Sequence, residues 1–128
     1  LKQFDIEQEV YYADLNWKAL MKDATKVSVQ QQEISKFPPV KRDLALLVDN
    51  TVQFAEIEKM CFDNEKKLLK SVTLFDVYEG KNLPVGKKSY AISLILQDPE
   101  KTLNDKVIEN TMNRIIHAFE DKMGASLR

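Results

Sequence analysis

Glycine is nearly missing from this sequence, with three in 128 residues. That is too few to build a glycine-rich loop that cradles phosphates, so a P-loop nucleotide enzyme is excluded. One histidine, His117, and one cysteine, Cys61, are present. Zinc needs a set of such ligands at short spacing and a disulfide needs a pair, so neither is expected. A lone cysteine also suits a cytoplasmic setting. No apolar run approaches the roughly 18 residues of a membrane span, and no secretory pattern is visible, so no membrane partner is expected. Excess charge is missing too: 19 Lys and Arg against 20 Asp and Glu leave a net charge of −1. Free-standing nucleic-acid binders usually carry a basic excess, so any such binding must use a local patch or a larger assembly. The chain opens on Leu1 rather than Met, which suggests a piece of something longer.

What is present is ordinary globular material, 44% hydrophobic and 30% charged, enough for one core. Residues 1–36 read as a small N-terminal piece followed by a linker or an exposed extended arm. They hold a short extended-looking run at Glu9–Leu15, a helical turn or two at Asn16–Lys22, and a polar, glutamine-rich stretch from Thr25 to Lys36. Such a piece is too small to bury a core by itself.

From residue 37 to 128 the pattern is regular. Arg42–Asp49 alternates as a strand with Leu44, Leu46 and Val48 on one face. Asn50 or Thr51 can cap a helix whose apolar stripe is Phe54, Ile57 and Cys61. Ser71–Glu79 and Lys88–Gln97 read as two further strands, separated by a loop punctuated by Gly80, Pro84 and Gly86. Thr102 or Asn104 caps a long helix with the stripe Ile108, Met112, Ile115, Phe119 and Met123, which Gly124 ends. Ala125–Arg128 suffices for a last edge strand.

The order βαββαβ predicts an α+β, ferredoxin-like sandwich: a four-stranded antiparallel sheet with both helices on one face. Alternation puts Leu44, Leu46, Val48, Phe75, Val77, Tyr90, Ile92, Leu94 and Leu127 under the helices. It leaves Asp43, Ala45, Leu47, Asp76, Tyr78, Ser89, Ala91, Ser93 and Arg128 on the uncovered face.

No catalytic constellation is expected. His117 lies off its helix stripe, Cys61 reads as a small core filler, and the acid pairs Asp63/Glu65 and Glu120/Asp121 read as solvated helix faces. The uncovered face instead offers Tyr78 for base stacking, Asp76 as acceptor, Ser89 as donor or acceptor, and Arg128 as charge and stacking plane. Lys41, Arg42, Lys81, Lys87 and Lys88 sit near strand ends where phosphates could meet them. The plainer reading is that Tyr78 covers an edge strand and the lysines confer solubility.

The stretch Ile34-Ser35-Lys36-Phe37-Pro38-Pro39-Val40-Lys41-Arg42-Asp43-Leu44-Ala45 resembles the start of the ferredoxin-fold anticodon-binding domain of bacterial-type phenylalanyl-tRNA synthetase β subunits. Phe75-Asp76-Val77-Tyr78-Glu79-Gly80, Leu83-Pro84-Val85-Gly86-Lys87-Lys88-Ser89, Asp98 with Lys101-Thr102-Leu103, and the ending Gly124-Ala125-Ser126-Leu127-Arg128 resemble it too, in order, over residues 34–128. The resemblance implies contact with the anticodon loop of tRNA-Phe, the first anticodon base, a guanine, lying on the sheet. It implies RNA-binding roles for Ala45, Asp76, Tyr78, Ser89 and Arg128. It further implies an α2β2 enzyme, with the rest of the β subunit and a catalytic α subunit as partners. ATP and magnesium would be used in that α subunit, and no cofactor in this chain. Two other classes remain for comparison. One is a ferredoxin-like regulatory domain that senses an amino acid, although Asp49-Asn50-Thr51-Val52 lacks the glycine such sites usually place in that loop. The other is a purely structural docking module.

Overall fold

The alternating segments become strands and the periodic ones helices in a computed structural model that describes residues 4–6, 8–25 and 34–128. These group into two units, Leu1–Ile34 and Ser35–Arg128. In the first, helix α1 spans Trp17–Ala24, and Asn16 caps it by accepting from the Ala19 N–H at 3.1 Å. None of its residues is buried, and residues 9–15 form no strand. The glutamine-rich stretch falls largely on residues 26–33, outside the described residues.

The second unit runs β1 (Val40–Asp49), α2 (Phe54–Asn64), β2 (Leu69–Tyr78), β3 (Lys87–Leu96), α3 (Asp105–Met123) and β4 (Ser126–Leu127). Its sheet is antiparallel in the order β2-β3-β1-β4, which is the ferredoxin-like arrangement. Leu46, Val48, Ile92, Leu94 and Leu96 meet Ile57 and Cys61 of α2 and Ile108, Met112, Ile115 and Phe119 of α3 in one buried core.

Helix α3 has both of its expected ends. The Asn104 side chain accepts from the Val107 N–H at 2.9 Å. Gly124 adopts φ 58°, the left-handed turn that glycine makes at least cost. The start of α2 differs from expectation. Asn50 and Thr51 form a turn, and Gln53 is the N-cap, its N–H donating to the Glu56 carboxylate at 2.8 Å. Glu65 also differs, being buried instead of solvated. One of its oxygens accepts from the Lys67 and Leu68 N–H groups, and the other pairs with Arg114 of α3. The end of α2, the start of β2 and the middle of α3 are thereby tied through one carboxylate.

The main correction concerns Phe75. In the ladder, Leu74 pairs with Ile92 while Asp76 pairs with Ala91, so Phe75 is an extra residue in a β-bulge. It is 58% exposed and does not lie under the helices. Plain alternation from Thr73 puts Phe75 on the open face, and the inserted residue then lets Asp76 and Tyr78 occupy that same face. Val77, opposite Tyr90, and Leu127, opposite Leu46, do point to the helix side, but both belong to edge strands and stay half-exposed.

Candidate nucleic-acid interface

The face away from the helices is built of rows, because residues paired across antiparallel strands share a face. One row reads Asp76, Ala91, Ala45, with Arg128 extending it where its N–H donates to the Ala45 carbonyl at 2.9 Å. Two methyl groups thus form a low floor with a carboxylate at one end and a guanidinium at the other. The next row reads Tyr78, Ser89, Leu47, Ser126. The Arg128 guanidinium reaches over this floor to lie 5.0 Å from the centroid of the Tyr78 ring, a cation–π contact spanning the sheet from one edge strand to the other.

All five residues singled out from the sequence therefore stand on one face: Ala45, Asp76, Tyr78, Ser89 and Arg128. They are not equally accessible. Tyr78 is 36% exposed, whereas Ser89, flanked by Leu47 and Tyr78, is 4% exposed and screened by its neighbours in the free chain.

Gly80 is a residue whose role sequence reasoning missed, taking it as loop punctuation. A methyl group added there would lie 2.5 Å from the Tyr78 hydroxyl and 2.6 Å from its Cζ. The ring is folded against the bare backbone of Gly80, so glycine is needed for close approach. The signal available in sequence was the spacing alone, an aromatic two residues before a glycine at a strand end.

The basic residues near the strand ends do not act as one cluster. Lys88 is buried on the helix side, its ammonium donating to the Asn50 carbonyl at 2.9 Å and lying 4.7 Å from the Tyr90 ring centroid. Lys87 pairs with Asp49 at 2.8 Å. Lys41 stands on the open face, paired with Asp43 at 3.4 Å. The Asp43 carboxyl is held below the usual carboxylate range, chiefly by the Ser93 hydroxyl across the ladder, then by Lys41, with burial opposing both. The Ser93 oxygen meets no partner at normal hydrogen-bond geometry, so it acts on Asp43 as a nearby dipole instead of a closed bond.

Burial pushes the Cys61 thiol up to about 12, with the Glu58 charge adding to it, so a thiolate nucleophile is not on offer. His117 is exposed on α3 beside Glu120 at 3.2 Å. Among the described residues no three His, Cys, Asp or Glu side chains come together to hold a metal ion, and no helix is long and apolar enough to cross a membrane.

An uncovered antiparallel face with an aromatic, a carboxylate and a guanidinium around a floor of methyl groups defines a ferredoxin-like binding module. Its family is the ferredoxin-fold anticodon binding domain, whose profile matches residues 35–128, and the chain belongs to it. Over all 128 residues the chain is 65% identical to the phenylalanine–tRNA ligase beta subunit of Bacteroides fragilis and 56% identical to that of Porphyromonas gingivalis. It is 39% identical to the one from Clostridium tetani. The chain spans 16% of the length of each of these curated relatives.

Proposed function

We propose that this chain is the anticodon-reading module of a phenylalanine–tRNA ligase β subunit, and that its open sheet face holds the anticodon loop of tRNA-Phe. The observation that carries the reading is the Asp76–Ala91–Ala45–Arg128 row beside a Tyr78 ring that already lies against a guanidinium. A guanine presents adjacent imino and amino donors on its Watson–Crick edge, and the Asp76 carboxylate is acceptor-only. Adenine would turn its ring-nitrogen lone pair toward that carboxylate, so the site favours guanine. The methyl floor of Ala45 and Ala91 lets the base approach the sheet, Tyr78 supplies the stacking plane, and Arg128 supplies charge and a second plane. Ser89 becomes available to the base edge as the side chains around it shift.

In this reading residues 37–128 are the RNA-binding module, and residues 1–36 are the linker and tail of the module before it in the same subunit. Aminoacylation, with ATP and magnesium, belongs to a catalytic α subunit in a cytoplasmic α2β2 assembly. The present chain contributes only placement of the tRNA. Its net charge of −1 leaves only local lysines and arginines to displace counterions, so isolated binding is weak and, resting on those charges, is weakened further by salt, and the assembly gains affinity by gripping the tRNA at several points.

The deciding measurement is a titration of the chain with a tRNA-Phe anticodon stem-loop and with the same stem bearing a scrambled loop. Preference for the native loop is expected, with affinity falling as salt rises. Equal binding of the two would remove the reading. Pyrophosphate exchange dependent on phenylalanine and ATP, tested on the pure chain, is expected to be absent.

A further inference from the structure

The open face carries a second group of side chains that the Tyr78 site leaves unused. Phe75 stands out from the bulge into solvent, and the Lys41 ammonium lies 5.8 Å from its ring centroid. Lys41 pairs with Asp43 at 3.4 Å, and Asp43 faces Ser93 across the ladder. Ser93 is 6% exposed, and its hydroxyl has no hydrogen-bond partner. Four chemistries thus occur twice on one face. Tyr78 lies under Arg128, near Asp76 and a buried Ser89; Phe75 lies under Lys41, near Asp43 and a buried Ser93. The Asp76–Ala91–Ala45 row falls between them.

We infer that the open face holds a second nucleotide of the same single strand, its base stacked on Phe75 and its amino-bearing edge on Asp43. This rests on the RNA-binding reading above. An exposed phenylalanine on the open face of an edge strand is an apolar plane turned to water, and bases stack on such planes whatever their sequence. In the free chain the Lys41 ammonium covers that plane. When a base takes its place, Lys41 turns to the adjoining phosphate. Asp43 accepts from an exocyclic amino group, which adenine, cytosine and guanine carry and uracil lacks.

The test uses the anticodon stem-loop with the fluorescent base 2-aminopurine placed at one loop position at a time. The wild-type chain is expected to quench two positions. Phe75→Leu keeps apolar bulk without a ring. It should release the quench at one position, weaken binding roughly five- to fiftyfold, and leave the thermal melt unchanged. Tyr78→Leu should release the other position. Asp43→Asn should remove the preference for an amino-bearing base over uracil at the Phe75 position, and Lys41→Ala should flatten the salt dependence. If Phe75→Leu keeps wild-type affinity and both quenches while Tyr78→Leu releases one, the second site is wrong and the Tyr78 site stands. If both variants release the same single position, one base lies between the two rings and the inference of two nucleotides fails. If neither variant changes anything, the RNA-binding reading falls and takes this inference with it.

Discussion

Strand β3 carries two different sequences on its two sides. Toward the helices it turns Tyr90, Ile92, Leu94 and Leu96, all buried. Toward the open face it turns Ser89, Ala91, Ser93 and Ile95, mostly small. One side excludes water by bulk and the other leaves room by lacking it, so the same ladder of hydrogen bonds supports a core and a shelf. Substitutions on the two sides should therefore fail in different ways.

The largest effect is expected on the covered side. Ile92→Ala opens a cavity in a fully buried position and should lower unfolding free energy by about 2–5 kcal/mol in denaturant melts. The fraction that remains folded should bind RNA as before. Across the sheet, Arg128→Ala removes a guanidinium from an exposed edge. It should cost about 1.5–3 kcal/mol of stem-loop affinity through lost charge-assisted bonds, with the melt nearly unmoved. Tyr78→Ala should cost about 1–3 kcal/mol of affinity, while Tyr78→Phe keeps most of the stacking. Gly80→Ala sharpens the same point, because the new methyl displaces only the far end of the Tyr78 ring. Binding should weaken without unfolding, to an extent no greater than Tyr78→Ala. A Gly80→Ala variant that binds like wild type would show that the ring's seat against the backbone is unimportant. The smallest stability change is reserved for Phe75→Ala. As an exposed bulge residue it should shift the unfolding free energy by no more than about 0.5 kcal/mol. A large loss would mean that Phe75 packs in the core and that the bulge is misplaced.

Much of this was legible in the order of residues. The βαββαβ succession, the stripe of α3, its Asn104 cap and its Gly124 stop all follow from local chemistry, and so does the sidedness of Ala45, Asp76 and Tyr78. Most of what escaped reading depends on partners distant in sequence. Period-2 counting assumes an unbroken ladder, and whether Phe75 is an extra residue is decided by Ile92 and Ala91 on the neighbouring strand. Lys88 looks like any strand-end lysine until the Asn50 carbonyl and the Tyr90 ring are brought beside it. Glu65 resembles a surface acid until Arg114, 49 positions later, arrives to pair with it. Gln53 is a poor cap by propensity, and Glu56 makes it serviceable by reaching back to its N–H. Tyr78 could be given a face, but the reach of Arg128 across three strand spacings required the sheet order.

The bulge also bears on how this strand can change its length over generations. Losing one residue from a strand normally turns every side chain beyond it to the wrong side. Removal of Phe75 would instead join Leu74, opposite Ile92, directly to Asp76, opposite Ala91, and make the ladder regular from Ser71 to Tyr78. Val77 and Tyr78 would keep their sides. Position 75 is therefore a point in β2 where a single-residue deletion is structurally quiet, and a gap at this point in a related sequence would leave the register of the strand unchanged.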